Sequence, residues 1–211
     1  MLPRPRRTGH RRRPPVEGIG VRLARFYTRA MSEETGPRRC ARVIVVDEHD
    51  RVLLLHSSGF VTPESEFFVS VGGGIDPGET AAEAAARELF EETGLRVEPD
   101  ALVGPIGHTV GTWWLGHEDH VFFLLRTNRF EVRFDWLEAC EIGELTGSAW
   151  LTVDELRAVD AGVFPVPIAD LAERVVGGDI PSAPVELAWV NWRGDNKRYP
   201  LSTPDTIEGT A

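Results

Sequence analysis

Glu88, Glu91 and Glu92 stand at i, i+3 and i+4. On a helix that spacing brings three carboxylates onto one patch, where like charges repel. Arg87, next to them in sequence, offsets part of the repulsion. A hard divalent cation would offset more. Mg²⁺ prefers carboxylate oxygens and is usually held by a few of them together with substrate phosphates. A cation held there could polarise a phosphoryl oxygen and orient an attacking water. A bare E-x-x-E-E is more often a solvated acidic face, so its surroundings decide the matter.

Those surroundings define a helix with both ends marked. Gly72, Gly73 and Gly74 close the apolar run 67–71, which reads as a strand. Glycines there let the backbone turn or approach a ligand closely. Asp76, Pro77 and Gly78 are the residues of a tight turn. Thr80 and Glu83 form a capping box, which starts the helix at Ala81. Gly94 occupies the left-handed C-terminal cap position. Ala82, Ala85, Ala86 and Leu89 follow the i, i+3, i+4, i+7 rule and are expected to face a core. Their small size implies close packing on a sheet. Glu79, Glu83, Arg87 and Glu91 form a second i+4 row beside the glutamate patch.

In this register the stretch resembles the signature of the Nudix family, G-x5-E-x7-R-E-U-x-E-E-x-G-U, with U a bulky aliphatic residue. Gly73, Glu79, Arg87, Glu88, Leu89, Glu91, Glu92, Gly94 and Leu95 fill every defined position. The resemblance implies an α+β fold, a mixed β-sheet sandwiched between α-helices. It implies a metal-dependent hydrolase of a diphosphate linkage in a nucleoside diphosphate derivative or related small molecule. The implied metal ligands are Glu88, Glu91 and Glu92, for Mg²⁺ with Mn²⁺ as substitute. Glu88, Glu92 and Arg87 are the implied catalytic residues, with Glu79 and Arg87 as a supporting pair. Gly73 and Gly74 give the substrate room. The base stays open between Glu88 or Glu92 and an acid outside the box: Glu118 or Asp119 in an expected loop, or Glu138, Glu141 or Glu144. Each of these acids, like His117 and His120, is more often a solvated surface group. Homodimers are a family tendency.

The rest of the chain frames this site. With 211 residues, 42% of them hydrophobic, the chain suits one domain with tails. Residues 1–36 are expected to be a disordered basic tail, with a short helix at 21–30 at most. Residues 37–180 are expected to form the domain, and 181–211 an irregular tail. Strands are expected at 41–46, 52–55, 67–71, 102–110, 121–126 and 150–151. Asp47 to Asp50 supplies a hairpin turn, Thr152 and Glu155 cap a short helix, and a last helix spans 167–176.

Residues 1–30 carry nine arginines against Glu17. That segment is +8 in a chain of −10, which leaves −18 for residues 31–211. An acidic body disfavours long nucleic acid, whose phosphates need cations. The basic tail could be an arm for nucleic acid or membrane, a targeting peptide, or sequence upstream of a working start at Met31; the last reading is preferred. No apolar run is long enough to span a membrane, and no signal core is present. Cys40 and Cys140 lie far apart and read as reduced thiols, so a cytoplasmic setting is expected. Trp113, Trp114, Phe67 and Phe68 could stack on a base or line the pocket, though core or edge roles are commoner. Two rivals remain. One is a non-catalytic ligand sensor, which would be expected to lose box glutamates. The other is an RNA-end pyrophosphohydrolase using the Arg-rich tail.

Overall fold

The computed structural model describes residues 36–58, 66–113, 116–137, 142, 144–159, 162–164, 168–193 and 197–200. The basic tail, the helix expected at 21–30, Trp114, Cys140, Glu138 and Glu141 lie outside the described residues.

β1 (Arg38–Val46) is rich in β-branched residues, and everything in it from Cys40 onward is buried. The turn to β2 (Val52–Ser58) is organised by Asp47, whose Oδ1 accepts from the amides of His49 (2.9 Å) and Arg51 (2.8 Å). Asp50 takes the left-handed conformation there (φ 56°), which Asp tolerates better than most residues. The run expected as one strand at 67–71 is two strands. β3 (Glu66–Val69) pairs with β2, and β4 (Val71–Gly74) pairs with β1. The break at Ser70 lets the chain pass from pairing with β2 to pairing with β1.

α1 (Ala81–Thr93) begins at a complete Thr80–Glu83 capping box and ends at Gly94 with φ 78°, as the sequence indicates. Ala85, Ala86 and Leu89 are buried as expected; Ala84 is buried too, and Ala82 is half-buried against the core. β5 (Val103–Trp113) and β6 (Gly116–Arg126) form a long hairpin. β7 (Leu145–Leu151) pairs with β2, and α2 (Val153–Ala158) starts at the Thr152–Glu155 box. β8 (Gly162–Phe164) and α3 (Ala169–Val176) follow. In the stretch from 181, expected to be irregular, the described residues include short strands. β9 (Val185–Glu186) adds to the edge of β5, and β10 (Val190–Arg193) pairs with β11 (Lys197–Pro200). Leu187 continues the docking through its amide to His108 O (2.8 Å).

The main sheet runs β8-β3-β2-β1-β6-β5-β9, with β4 also on β1 and β7 also on β2. It mixes parallel (β1·β6) and antiparallel (β5·β6) pairs. Alternation assigns the faces. Gly73, paired with Ala41, faces Glu88 of α1. Gly107, paired with Phe122, faces Leu171 of α3. Cys40 and His120 are direct partners and lie on the Phe122 face. Helices thus cover both faces. No helix among the described residues is long and apolar enough to cross a membrane.

Candidate functional site

The site is assembled from β4, the loop after it, and α1. Arg87 is its hub. Its Nε and Nη2 donate to the two oxygens of Glu79 (2.8 and 3.1 Å), the forked geometry that guanidinium and carboxylate favour. Nη2 also donates to Gly74 O (2.8 Å), and Nη1 donates to Glu88 Oε1 and Glu91 Oε2 (2.9 Å each). One side chain thereby fixes the loop to the helix and draws three carboxylates together. The Glu79 carboxyl is held below its usual range, chiefly by the Arg87 hydrogen bond. The Arg87 guanidinium is pushed further up, chiefly by the same bond.

Glu92 is 4% exposed, and its Oε2 accepts the Gly72 amide at 2.7 Å. Glu88 is buried against Gly73. A Cβ added at Gly73 would lie 2.6 Å from the Glu88 carboxylate carbon and both its oxygens, so only glycine leaves that carboxylate its place. The structure therefore brings together all the box residues named from the sequence: Glu79, Arg87, Glu88, Glu91, Glu92, Gly73 and Gly74. Three carboxylates gather around one guanidinium and a fourth, Glu92, sits on the Gly72 amide, all with oxygen donors. That donor set is the kind that suits Mg²⁺ or Mn²⁺.

A family model described as a NUDIX domain matches residues 36–169. The chain belongs to the Nudix family. The family match and the phosphohydrolases among its relatives support a hydrolase acting on a diphosphate linkage. This Nudix chain is 29% identical over 156 residues to diphosphoinositol polyphosphate phosphohydrolase 2 of Rattus norvegicus, covering 74% of this chain and 79% of the relative. Its fold matches the crystal structure of a MutT protein from Methanosarcina mazei Go1 (TM-score 0.52, 18% identity, 70% of this chain and 99% of that one). It also matches a NUDIX hydrolase from Nitrosomonas europaea (TM-score 0.51, 20% identity, 83% and 100%).

A second buried cluster of this Nudix domain escaped the sequence reading. Glu118 and Asp119 are not in a loop but in β6, and Glu118 is 2% exposed rather than solvated. His120, expected at the surface, is fully buried. His117 is exposed, as expected, whereas Glu144 is buried. Burial of Glu118 and His120 is possible because β1 runs parallel to β6 and sets arginines against them. Arg38 Nη1 donates to Glu118 Oε1 (3.2 Å), and Arg42 Nε donates to His120 Nδ1 (3.3 Å). Arg42 Nη1 reaches the carbonyls of Ser70 (3.1 Å) and Gly72. With Nδ1 accepting, the network assigns the ring proton to Nε2, which donates to Glu118 Oε2 at 2.9 Å.

Burial drives the His120 ring down to about 4, against the pull of the Glu118 hydrogen bond. Burial alone would raise the Glu118 carboxyl. The His120 hydrogen bond and the neighbouring cations outweigh it and hold the carboxyl below its usual range. Burial, then Glu118, pushes the Cys40 thiol up to about 12. Cys40, Glu118 and His120 offer donor atoms within 4.8 Å of one another. However, both imidazole nitrogens are engaged, by Arg42 and by Glu118, and two arginines stand alongside. The trio is a hydrogen-bonded ion network, and its chemistry does not suit a soft metal.

Proposed function

We propose that this Nudix hydrolase cleaves the diphosphate linkage of a small anionic substrate, with Glu88, Glu91 and Glu92 holding Mg²⁺. The observation that carries the reading is the convergence of the box carboxylates on Arg87, beside a glycine strand that leaves them room. When bound, the cation would withdraw charge from the phosphoryl oxygens and favour a nucleophilic water. The chain's own residues do the rest. Arg87 keeps Glu88 and Glu91 on one side of the helix, and Glu79 holds Arg87 in register with the loop. The Gly72 amide orients Glu92. The glycines leave the anion a path to the carboxylates.

The proton from the attacking water goes to a box carboxylate, Glu88 or Glu92. Glu118 is a poorer candidate than its position outside the box suggested, because both its oxygens accept hydrogen bonds from cationic or ring N–H groups. The relative's name points to a diphosphoinositol polyphosphate and the family's to nucleoside diphosphate derivatives, so both classes belong in the test. Mg²⁺ as the working ion, a cytoplasmic setting and a homodimer belong to the same reading; light scattering tests the last.

The experiment is release of phosphate or nucleoside monophosphate from a panel of nucleoside diphosphate derivatives and diphosphoinositol polyphosphates. It is run with and without Mg²⁺, beside the Glu92→Gln protein. Metal-dependent turnover that the substitution removes is expected. Turnover that survives in metal-free buffer, or in Glu92→Gln, would refute the assignment.

A further inference from the structure

We propose that Arg38 is a phosphate-binding residue of the substrate cleft, held in its working position by the buried Glu118–His120–Arg42 chain. The inference rests on the diphosphate reading above and adds to it a residue outside the Nudix box.

Four observations support it. First, the glycine strand has a cluster on each face. Gly73 admits the Glu88 carboxylate from the α1 side. Gly74, the next residue, admits Arg38, whose Nη2 would lie 2.7 Å from an added Cβ. The two clusters thus meet adjacent residues of one short strand from its opposite faces. Second, the side chain of Arg38 is 32% exposed and lines a cleft of about 620 Å³. Arg39, Ile75, Asp76, Glu79 and Asp119 also line it. Glu79 connects that wall directly to Arg87, and Arg87 connects to Glu88 and Glu91.

Third, Arg38 is anchored through a buried chain. Glu118 accepts from it, His120 fixes the second oxygen of Glu118, and Arg42 fixes His120. An arginine needed only at the surface requires no such support, and burying an ionised carboxylate with its partners is costly. Fourth, the chemistry fits. A guanidinium presents a rigid fork of N–H donors that matches phosphate oxygens. Asp76, Glu79 and Asp119 at the same cleft would repel a bare anion, but they suit one that arrives with its divalent cation. Arg38 is then the group that touches the substrate phosphate. Glu118, His120 and Arg42 are positioning residues that act through it.

The test uses the full chain with Mn²⁺ and methylenediphosphonate, a diphosphate mimic that cannot be hydrolysed. Mn²⁺ affinity is read by electron paramagnetic resonance and diphosphonate affinity by calorimetry. Arg38→Gln is expected to weaken diphosphonate binding about 10- to 100-fold, the range for a charge-assisted hydrogen bond, and to leave Mn²⁺ affinity unchanged. Arg38→Lys, which keeps the charge and loses the fork, should fall between. His120→Leu is expected to weaken the diphosphonate as well. His120→Gln, whose side-chain N–H can still reach Glu118, should restore it.

Equal diphosphonate affinity in wild type and Arg38→Gln would overturn the proposal and leave the diphosphate reading standing. Arg38 would then be merely the counter-ion of Glu118, and its loss would show as a lower melting temperature alone. Loss of Mn²⁺ in Arg38→Gln would also overturn it, by placing Arg38 in the support of the metal site. Failure of the wild type itself to bind Mn²⁺ would defeat the parent reading and the proposal with it.

Discussion

Gly73→Ala isolates carboxylate placement from everything else the site needs. Gly73 does not have a positive φ, so alanine is free to adopt its backbone conformation. The new methyl would meet the Glu88 carboxylate at 2.6 Å, where ordinary contact begins at 3.4 Å. The carboxylate is the far end of a flexible side chain and gives way, moving about 0.8 Å, the shortfall between those distances. A misplacement near 1 Å in a positioned site costs on the order of 100-fold in rate, or about 2.7 kcal/mol of transition-state stabilisation. The expected outcome is a kcat about 100-fold down on whichever diphosphate the wild type turns over. The melting temperature should fall by only a few degrees. Gly178→Ala is the matched control. Gly178 has φ 83° with nothing near an added Cβ, so the strain costs about 1–2 kcal/mol of stability while activity below the melting temperature is kept. Full activity in Gly73→Ala would refute the claim that the glycine exists to seat Glu88.

Other perturbations probe the frame around that site. Arg87→Ala removes the cation shared by Glu79, Glu88 and Glu91. Discounted for its partial exposure, the loss should cost about 1–3 kcal/mol. Added Mg²⁺ should raise the melting temperature of Arg87→Ala more than that of the wild type, because the ion takes over the missing positive charge; calorimetric scans check this. Thr80→Ala removes half of the capping box and should cost about 1 kcal/mol in urea unfolding. His108 bonds Glu186 of β9 at 2.8 Å and Asp119 at 2.9 Å, and the Glu186 hydrogen bond in particular raises its pKa above the usual histidine value. The folded pKa is the higher one, so this clasp contributes fully below the unfolded value near 6.5. It is lost as pH rises through the folded value. Exchange of the Leu187 amide, corrected for intrinsic rate, should accelerate over that interval, and the acceleration should vanish in His108→Gln.

The box could be read from the sequence because its geometry is local. Residues three and four apart on α1 are neighbours whatever the rest of the fold does, and Thr80 and Gly94 declare the helix ends. The second cluster could not be read that way. Arg38 and Glu118 are eighty residues apart and meet only through the parallel register of β1 with β6. A signal was nevertheless present. Glu118, His120 and Phe122 alternate with the period of a strand, so extending β6 upstream would have put all three on one face. Charge masked it, because Glu and His at core positions look like loop residues until their arginine partners are known. The C-terminal strands were hidden for a related reason. β9 is two residues long, too short for periodicity, and is held by the edge of β5 rather than by its own pattern.

The alternation along β1 limits how this protein can change over time. Odd and even positions of that strand serve opposite sides of the sheet. Arg38, Cys40 and Arg42 look toward His120, and Ala41 looks toward Gly73. Gaining or losing a single residue between Arg38 and Val46 would exchange the two sets at a stroke. Arginines would turn into the small-residue seam under α1, and aliphatic side chains would face ionised Glu118. Length variation is therefore expected to be excluded from β1 and to collect in the exposed turn at 48–50, where an extra residue moves no side chain across the sheet. A library of single-codon insertions scanned along residues 36–52 would show that boundary as a sharp edge in the yield of folded protein.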